Sequence, residues 1–254
     1  MKVALTIGGS DPTSGAGIQM DLKVFQVLGV YGVSVLTALT SQNTTEVENI
    51  YPLSYDLIDI QFKTLLKDIK PYGAKTGMIY TEDAVECIHE NILKFKVTNL
   101  IIDPVIISTT GTKLIEDSAL LKLKDKLIPL SKAVTANILE AEILSGIKIN
   151  SIDEVIDASK IIHKMGTEIV IIKGGHFNHK VPDFLYDGRD FLMIEGEKLK
   201  GQFHGTGCAF SSAFLSFICN GYNPKEALKA SKNFVKNAIR NALKLGQGMN
   251  LLKI

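Results

Sequence analysis

The chain has no tryptophan, only three cysteines and seven prolines in 254 residues, and almost no net charge. Each scarcity excludes something. Cys87, Cys208 and Cys219 are odd in number and show no CxxC spacing, which argues against a disulfide framework or a structural zinc site and for a reducing compartment. A net charge of +1 gives no electrostatic reason to bind nucleic acid or an anionic membrane. No apolar run approaches the ~20 residues that span a bilayer. A strand-like run begins at Val3, with no basic-then-apolar leader before it. The expectation is a cytoplasmic protein with neither nucleic-acid nor membrane partners.

What is present is a regular alternation. Val3 to Ile7, Gly32 to Leu39, Leu100 to Ile102, Ala133 to Thr135 and Ile169 to Ile172 read as buried strands. Helical patterns separate them: Ile18 to Leu28 closed by Gly29, Tyr55 to Ile69 followed by Pro71, and a helix from Ser151 to about Met165 opened by Ser151 and Glu154 at capping-box spacing. Phe184 to Tyr186 and Phe191 to Ile194 flank Asp187-Gly188 as a hairpin, an antiparallel edge. Asn223-Pro224 opens a long last helix. Such β–α repetition predicts an α/β fold with a mostly parallel sheet covered on both faces. No linker or internal repeat divides it, so residues 1–254 are read as one domain.

In such sheets ligands sit beyond the carboxyl ends of the strands, and the unusual residues of this chain fall there. His204-Gly205-Thr206-Gly207-Cys208 precedes a small and apolar run to Ile218, so convergent backbone N–H groups at a helix start would form an anion hole. A cysteine at that entrance is expected to gain acidity from the positive helix end. The stretch also reads as a glycine turn before a buried helix, with Cys208 as apolar filler. Gly8 to Gly17 forms a Gly-rich loop around Asp11 that matches neither a Walker A motif nor GxGxxG. Gln42, in the polar run Thr40 to Thr45, suits the edge of a heterocycle, and Met78 could pack on a flat ring or simply fill a core. Asp103 directly follows a buried strand, where a carboxylate needs partners such as a phosphate-linked Mg²⁺. Asn137 and Glu140 could hold Mg²⁺ through waters or form a helix cap. Lys173 ends a strand as a point charge for phosphates or as a snorkelling side chain.

Ile7 to Pro12, Gly15 to Gln19, Asp21-Leu22-Lys23, Gly29 to Gly32 and Thr37 to Thr40 resemble the N-terminal signature of the hydroxymethylpyrimidine/phosphomethylpyrimidine kinases, ribokinase-like enzymes of thiamine biosynthesis. The resemblance continues, in family order, through Gln42-Asn43-Thr44, Lys75 to Met78, Asp103-Pro104-Val105, Asn137 to Glu142, Lys173 to His176 and Gly205 to Cys208. It implies a three-layer αβα sandwich that uses ATP and Mg²⁺ to phosphorylate a pyrimidine alcohol and then its monophosphate. It further implies contacts to the pyrimidine from Gly9, Asp21, Gln42 and Met78, and Mg²⁺ at Asp103 and Glu140. Thr110, Asn137, Lys173 and Thr206 would serve the nucleotide, with Gly205, Gly207, Lys173 and Cys208 catalytic. The wider superfamily ends this motif in a basic aspartate, and this family in cysteine. A homodimer is implied as well. The family's usual Thr-Pro-Asn is Thr135-Ala136-Asn137 here, which predicts a less rigid loop at Asn137. A pyridoxal kinase is the alternative, since pyridoxal also offers a hydroxymethyl group, and a non-catalytic pyrimidine sensor a third.

Overall fold

The computed structural model describes residues 1–108, 111–174 and 182–254. Strand β1 (Val3–Ser10) leads through helix α1 (Gly17–Val27) to β2 (Tyr31–Gln42), β3 (Val47–Pro52), α2 (Tyr55–Asp68), β4 (Gly73–Thr76), α3 (Glu82–Lys94) and β5 (Leu100–Ile102). Then follow α4 (Asp117–Lys122), β6 (Ala133–Asn137), α5 (Ile138–Ser145), α6 (Ile152–His163) and β7 (Ile169–Lys173). The hairpin β8 (Asp183–Tyr186) and β9 (Phe191–Ile194) precedes β10 (Phe203–His204), α7 (Thr206–Cys219), α8 (Pro224–Arg240) and β11 (Asn250–Leu251).

Strands β1 to β9 form one sheet in the order β3-β2-β1-β4-β5-β6-β7-β8-β9. The strands from β2 to β7 run parallel, as the apolar runs predicted. Successive side chains of a strand point to opposite faces, and the two cores divide accordingly. Leu5, Ile7, Leu100, Ile102, Val134, Val170 and Ile172 pack with α2 to α6 on one face. Ala4, Ile101, Ala133, Ile169 and Ile171 pack with α1, α7 and α8 on the other. The result is the expected α/β sandwich of three layers.

Two sequence readings need correction. Thr40 to Gln42 do not follow β2 but complete it, pairing antiparallel with β3 across a register shift at Ser41/Gln42. The sheet therefore ends in antiparallel strands at both edges, not only at the late hairpin. Likewise Gly8, Gly9 and Ser10 belong to β1, with a shift at Gly8/Gly9, so the Gly-rich loop begins at Asp11. Chain direction across the sheet reverses between β1 and β4, which makes their carboxyl ends the crevice of the fold.

Candidate active site

A cavity of about 730 Å³ opens over the carboxyl ends of β1, β2, β4, β5, β6 and β7. Its floor is the start of α7. Gly205 caps that helix with φ +80°, and no side chain caps it. A Cβ on Gly205 would lie 1.7 Å from the Gly15 carbonyl oxygen, so only glycine fits. Gly205, Thr206, Gly207 and Cys208 all line the cavity, at a helix start whose first amides have no partner within the helix. Space beside Gly207 is taken by charge: a Cβ there would stand 3.5 Å from Lys173 Nζ and 3.8 Å from Asp103 Oδ2. The glycines thus leave the start of α7 open to the cavity.

The acidity expected of Cys208 meets an opposing effect. Burial pushes the Cys208 thiol up to about 12, and neighbouring Asp21 and Asp103 add to the effect. Lys75 and a hydrogen bond from the Gly17 amide pull the other way without overcoming it. Desolvation outweighs the helix end.

Beneath Cys208 lies an ion cluster. Lys75, fully buried, donates to both oxygens of Asp21 at 3.0 Å and stands 3.8 Å from Asp103 Oδ2. Burial alone would lower its pKa, but Asp21, Cys208 and Asp103 hold it above the ordinary lysine range. Asp21 also accepts from Thr6 Oγ1 at 2.6 Å and from Ser212 Oγ at 2.6 Å. With its oxygens taken by these groups and no part in the cavity wall, Asp21 sits under the site rather than against a pyrimidine. A motif match places a residue near a site, and only packing tells which side of the wall it occupies.

Asp103 and Lys173 do reach the cavity. Lys173 Nζ lies 3.5 Å from Asp103 Oδ1, and Ser211 Oγ donates to Asp103 Oδ2 at 2.9 Å. Burial would lower the Lys173 ammonium, yet Asp103 and Glu140 keep it above its ordinary range, hence charged. The partners expected for Asp103 are thus side chains. Asn137 and Glu140 form the full capping box of α5: Asn137 Oδ1 accepts from Glu140 N–H at 2.9 Å, and Glu140 Oε2 from Asn137 N–H at 2.8 Å. Both still line the cavity. Burial raises the Glu140 carboxyl, and nearby Lys173 offsets part of that. Among the described residues no group of three or more His, Cys, Asp or Glu converges as a metal site. Two hard carboxylates beside an anion hole fit Mg²⁺, which keeps waters and takes phosphate oxygens as its other ligands.

At one end of the cavity Gly9 lets Met78 approach, since a Cβ on Gly9 would lie 3.0 Å from Met78 Cε. Thr37 Oγ1 fixes that segment by donating to Met78 O at 2.7 Å. Ala38, Met78 and Leu114 form a small apolar wall with Ile50 and Val105. Val105 holds φ +44°, a conformation a β-branched residue adopts only under constraint. Gln42 reaches this end, its Nε2 3.0 Å from His204 Nε2. The same ring nitrogen lies 2.7 Å from Asp11 Oδ2. Burial disfavours ionised Asp11, but hydrogen bonds from His204 and Thr13 hold its carboxyl below the ordinary range. The opposite end is lined by Leu199, Phe203, Val235 and Ile239, with Glu197 paired to Lys236 and Arg240 on α8. Thr110 lies outside the described residues, and its neighbour Gly111 lines the cavity.

Lys75, Ser211, Ser212, Asp11, His204 and the apolar far end were not assigned these places from sequence. Lys75 carried a usable signal, a lone cation in a buried strand, the same signal that pointed to Asp103. The rest depend on elements far apart in the chain.

The sequence profile described as phosphomethylpyrimidine kinase matches residues 11–253. The hydroxymethylpyrimidine/phosphomethylpyrimidine kinase of Bacillus subtilis is 40% identical over 249 residues, which cover 96% of this chain and 92% of that one. The crystal structure of a phosphomethylpyrimidine kinase from Clostridium difficile superposes with a TM-score of 0.84 at 37% identity, covering 94% of this chain and all of that one. A pyridoxal kinase from Staphylococcus aureus, solved with AMP-PCP and pyridoxal, gives a TM-score of 0.91 at 34% identity, covering all of this chain and 93% of that one. With the profile spanning nearly its whole length, this chain belongs to the phosphomethylpyrimidine kinase family.

Proposed function

We propose that this protein transfers the γ-phosphoryl group of ATP to the hydroxymethyl oxygen of 4-amino-5-hydroxymethyl-2-methylpyrimidine, and then to the resulting monophosphate, in thiamine biosynthesis. One observation carries the reading: a single cavity is lined by the Gly205 to Cys208 helix start, by Met78 with its apolar neighbours, and by Val235 and Ile239 of α8. A ring at each end brings a hydroxyl and a triphosphate together over Gly205 to Cys208.

Phosphoryl transfer needs positioning and charge neutralisation more than covalent help. Gly9, Met78 and Gln42 hold the pyrimidine. The amides of Thr206, Gly207 and Cys208 receive the charge that grows on the moving phosphoryl oxygens. Lys173, kept cationic by its carboxylate neighbours, faces the phosphates. Asp103 and Glu140 would hold Mg²⁺, which supplies further neutralisation of phosphate charge when bound. Cys208, protonated at neutral pH in the ligand-free protein, orients the attacking hydroxyl, whose proton passes to an oxygen of the transferred phosphoryl group as the new O–P bond forms and ADP departs. Asn137, the direct junction of β6 and α5 and the cap of that helix, serves the nucleotide with Thr206, and the family resemblance adds Thr110 to them. The assignments belong to one kinase domain over residues 1–254, working as a cytoplasmic homodimer. A single monomer boundary in sedimentation velocity at micromolar concentration would overturn the dimer.

The pyridoxal reading has one observation in its favour, the close superposition on a pyridoxal kinase solved with its substrate. Mass spectrometry after incubation with ATP, Mg²⁺ and each heterocycle separates the two. Mono- and diphosphate from the pyrimidine support the proposal, whereas phosphate on pyridoxal alone moves the activity to vitamin B6 salvage.

A further inference from the structure

The end of the chain contributes nothing to the cavity wall, yet it braces the substrate end from three sides. Leu243 and Leu251 exchange backbone hydrogen bonds of 2.8 and 2.9 Å, which close residues 243–251 into a loop. Lys244 Nζ ties the loop internally, donating to Gly248 O at 2.6 Å. The loop is seated on Thr44: Gly248 N–H donates to Thr44 Oγ1 at 3.1 Å and Met249 N–H to Thr44 O at 2.9 Å. The seat is tight enough that a Cβ on Gly248 would lie 1.9 Å from the Thr44 carbonyl oxygen. Thr44 stands two residues past Gln42, in the turn that Asn43 Oδ1 closes on Thr45 and Glu46. At the end of the loop, β11 pairs with β10, matching His204 to Leu251. The Leu251 side chain also crowds Gly15, where a Cβ would lie 2.7 Å from Leu251 Cδ2.

We propose that the C-terminal loop 243–251 is a positioning element for the heterocycle end of the site, holding Gln42 in register with the Gly205 helix start. The pyrimidine as ligand rests on the kinase reading above; the mechanical coupling does not. Gln42 ends β2, one strand in from the β3 edge, and its neighbour Thr44 has the loop as its partner. Gly15 and His204, which frame Gly205, meet the same loop through Leu251. Displacing the loop therefore frees both sides of the substrate end; at the other end it releases only Phe203, paired to Asn250, while Val235 and Ile239 stay on α8.

The test compares wild type with Gly248→Ala and with Thr44→Val, the latter removing only the acceptor for the Gly248 amide. In hydrogen–deuterium exchange, Gly248→Ala speeds exchange in 243–251 and also in 42–46 and 203–207. In steady-state assays the KM for hydroxymethylpyrimidine rises about tenfold or more while the KM for ATP stays within about twofold, as expected when one reactant is misplaced. Thr44→Val shifts both readouts in the same direction by less, and serves if Gly248→Ala does not fold. Faster exchange confined to 243–251, or an equal change in both KM values, overturns the proposal. Exchange decides the coupling even if wild type proves inactive on the pyrimidine, an outcome that would sink the kinase reading instead.

Discussion

Gly205→Ala is the sharpest perturbation the site offers, because two effects can be separated. The first is local. An alanine at φ +80° carries a left-handed backbone penalty of about 1–2 kcal/mol, or roughly 2–8 °C in Tm for a chain of this size. The second is steric. A methyl group 1.7 Å from the Gly15 oxygen meets backbone, not a flexible side chain, so the helix start and the 11–16 loop must separate. A shift of about 1 Å at the groups that position reactants costs on the order of 100-fold in rate, or about 2.7 kcal/mol in the barrier. Gly221→Ala provides the control at the other end of α7. It has φ +89° and nothing within 4 Å of the added Cβ, so it carries the first effect alone. Coupled ATPase assays and thermal denaturation of both variants are the measurement. Gly205→Ala should lose about 100-fold in kcat, and Gly221→Ala should lose stability but not turnover. Equal kcat in the two variants would refute the claim that the Gly15–Gly205 contact sets the anion hole.

Cys208→Ala should leave ADP affinity within about twofold by calorimetry and slow turnover on the order of 100-fold; near-normal turnover would remove Cys208 from the mechanism. In the wild-type apoprotein, a thiol raised to about 12 should react with iodoacetamide at pH 8 about a thousandfold more slowly than a free cysteine, and rapid labelling of Cys208 by peptide mass mapping would contradict it. Lys173→Ala should weaken ADP binding and turnover together, and unchanged nucleotide affinity would count against its role. Asp11 has a depressed folded-state pKa, so its stabilisation is present above the ordinary carboxylate range and disappears as pH falls through the folded value. Thermal melts of Asp11→Asn should therefore lie below wild type at pH 7, with the gap narrowing as pH falls below the ordinary carboxylate range; a constant gap would rule out the linkage.

How much was legible in the sequence depended on how local the cause was. Strand and helix positions followed from short-range pattern, and capping at Ser151 and Asn223 from single residues three apart. Asn137 and Glu140 showed why spacing underdetermines role: one N-x-x-E stretch serves as a cap and as cavity wall. Gly205 and Lys173 were readable because a glycine before a helix and a lysine at a strand end have few structural uses. Asp21 misled, since a buried carboxylate beside a motif looks the same whether it faces ligand or Lys75. The Cys208 expectation is opposed by a quantity absent from sequence, the desolvation that pushes the thiol up against the pull of the helix end. Strand β3 escaped notice because its exposed polar residues break the apolar run.

The hydrogen bonds that assemble the site join opposite ends of the polypeptide. Asp11 and His204 are 193 residues apart, Asp21 and Ser212 are 191, and Thr44 and Gly248 are 204. Contacts of such separation form late, after the sheet they rest on has closed the intervening chain. During synthesis β1 can pair with β2 and β4 long before α7 exists, and until then Lys75 and Asp21 lack the helix that seals them. A ribosome-bound chain stopped after β9 would hold most of the sheet and no anion hole. Catalytic competence in this protein thus arrives with the last fifth of translation, together with α7 and α8, the helices that cover one face of the sheet.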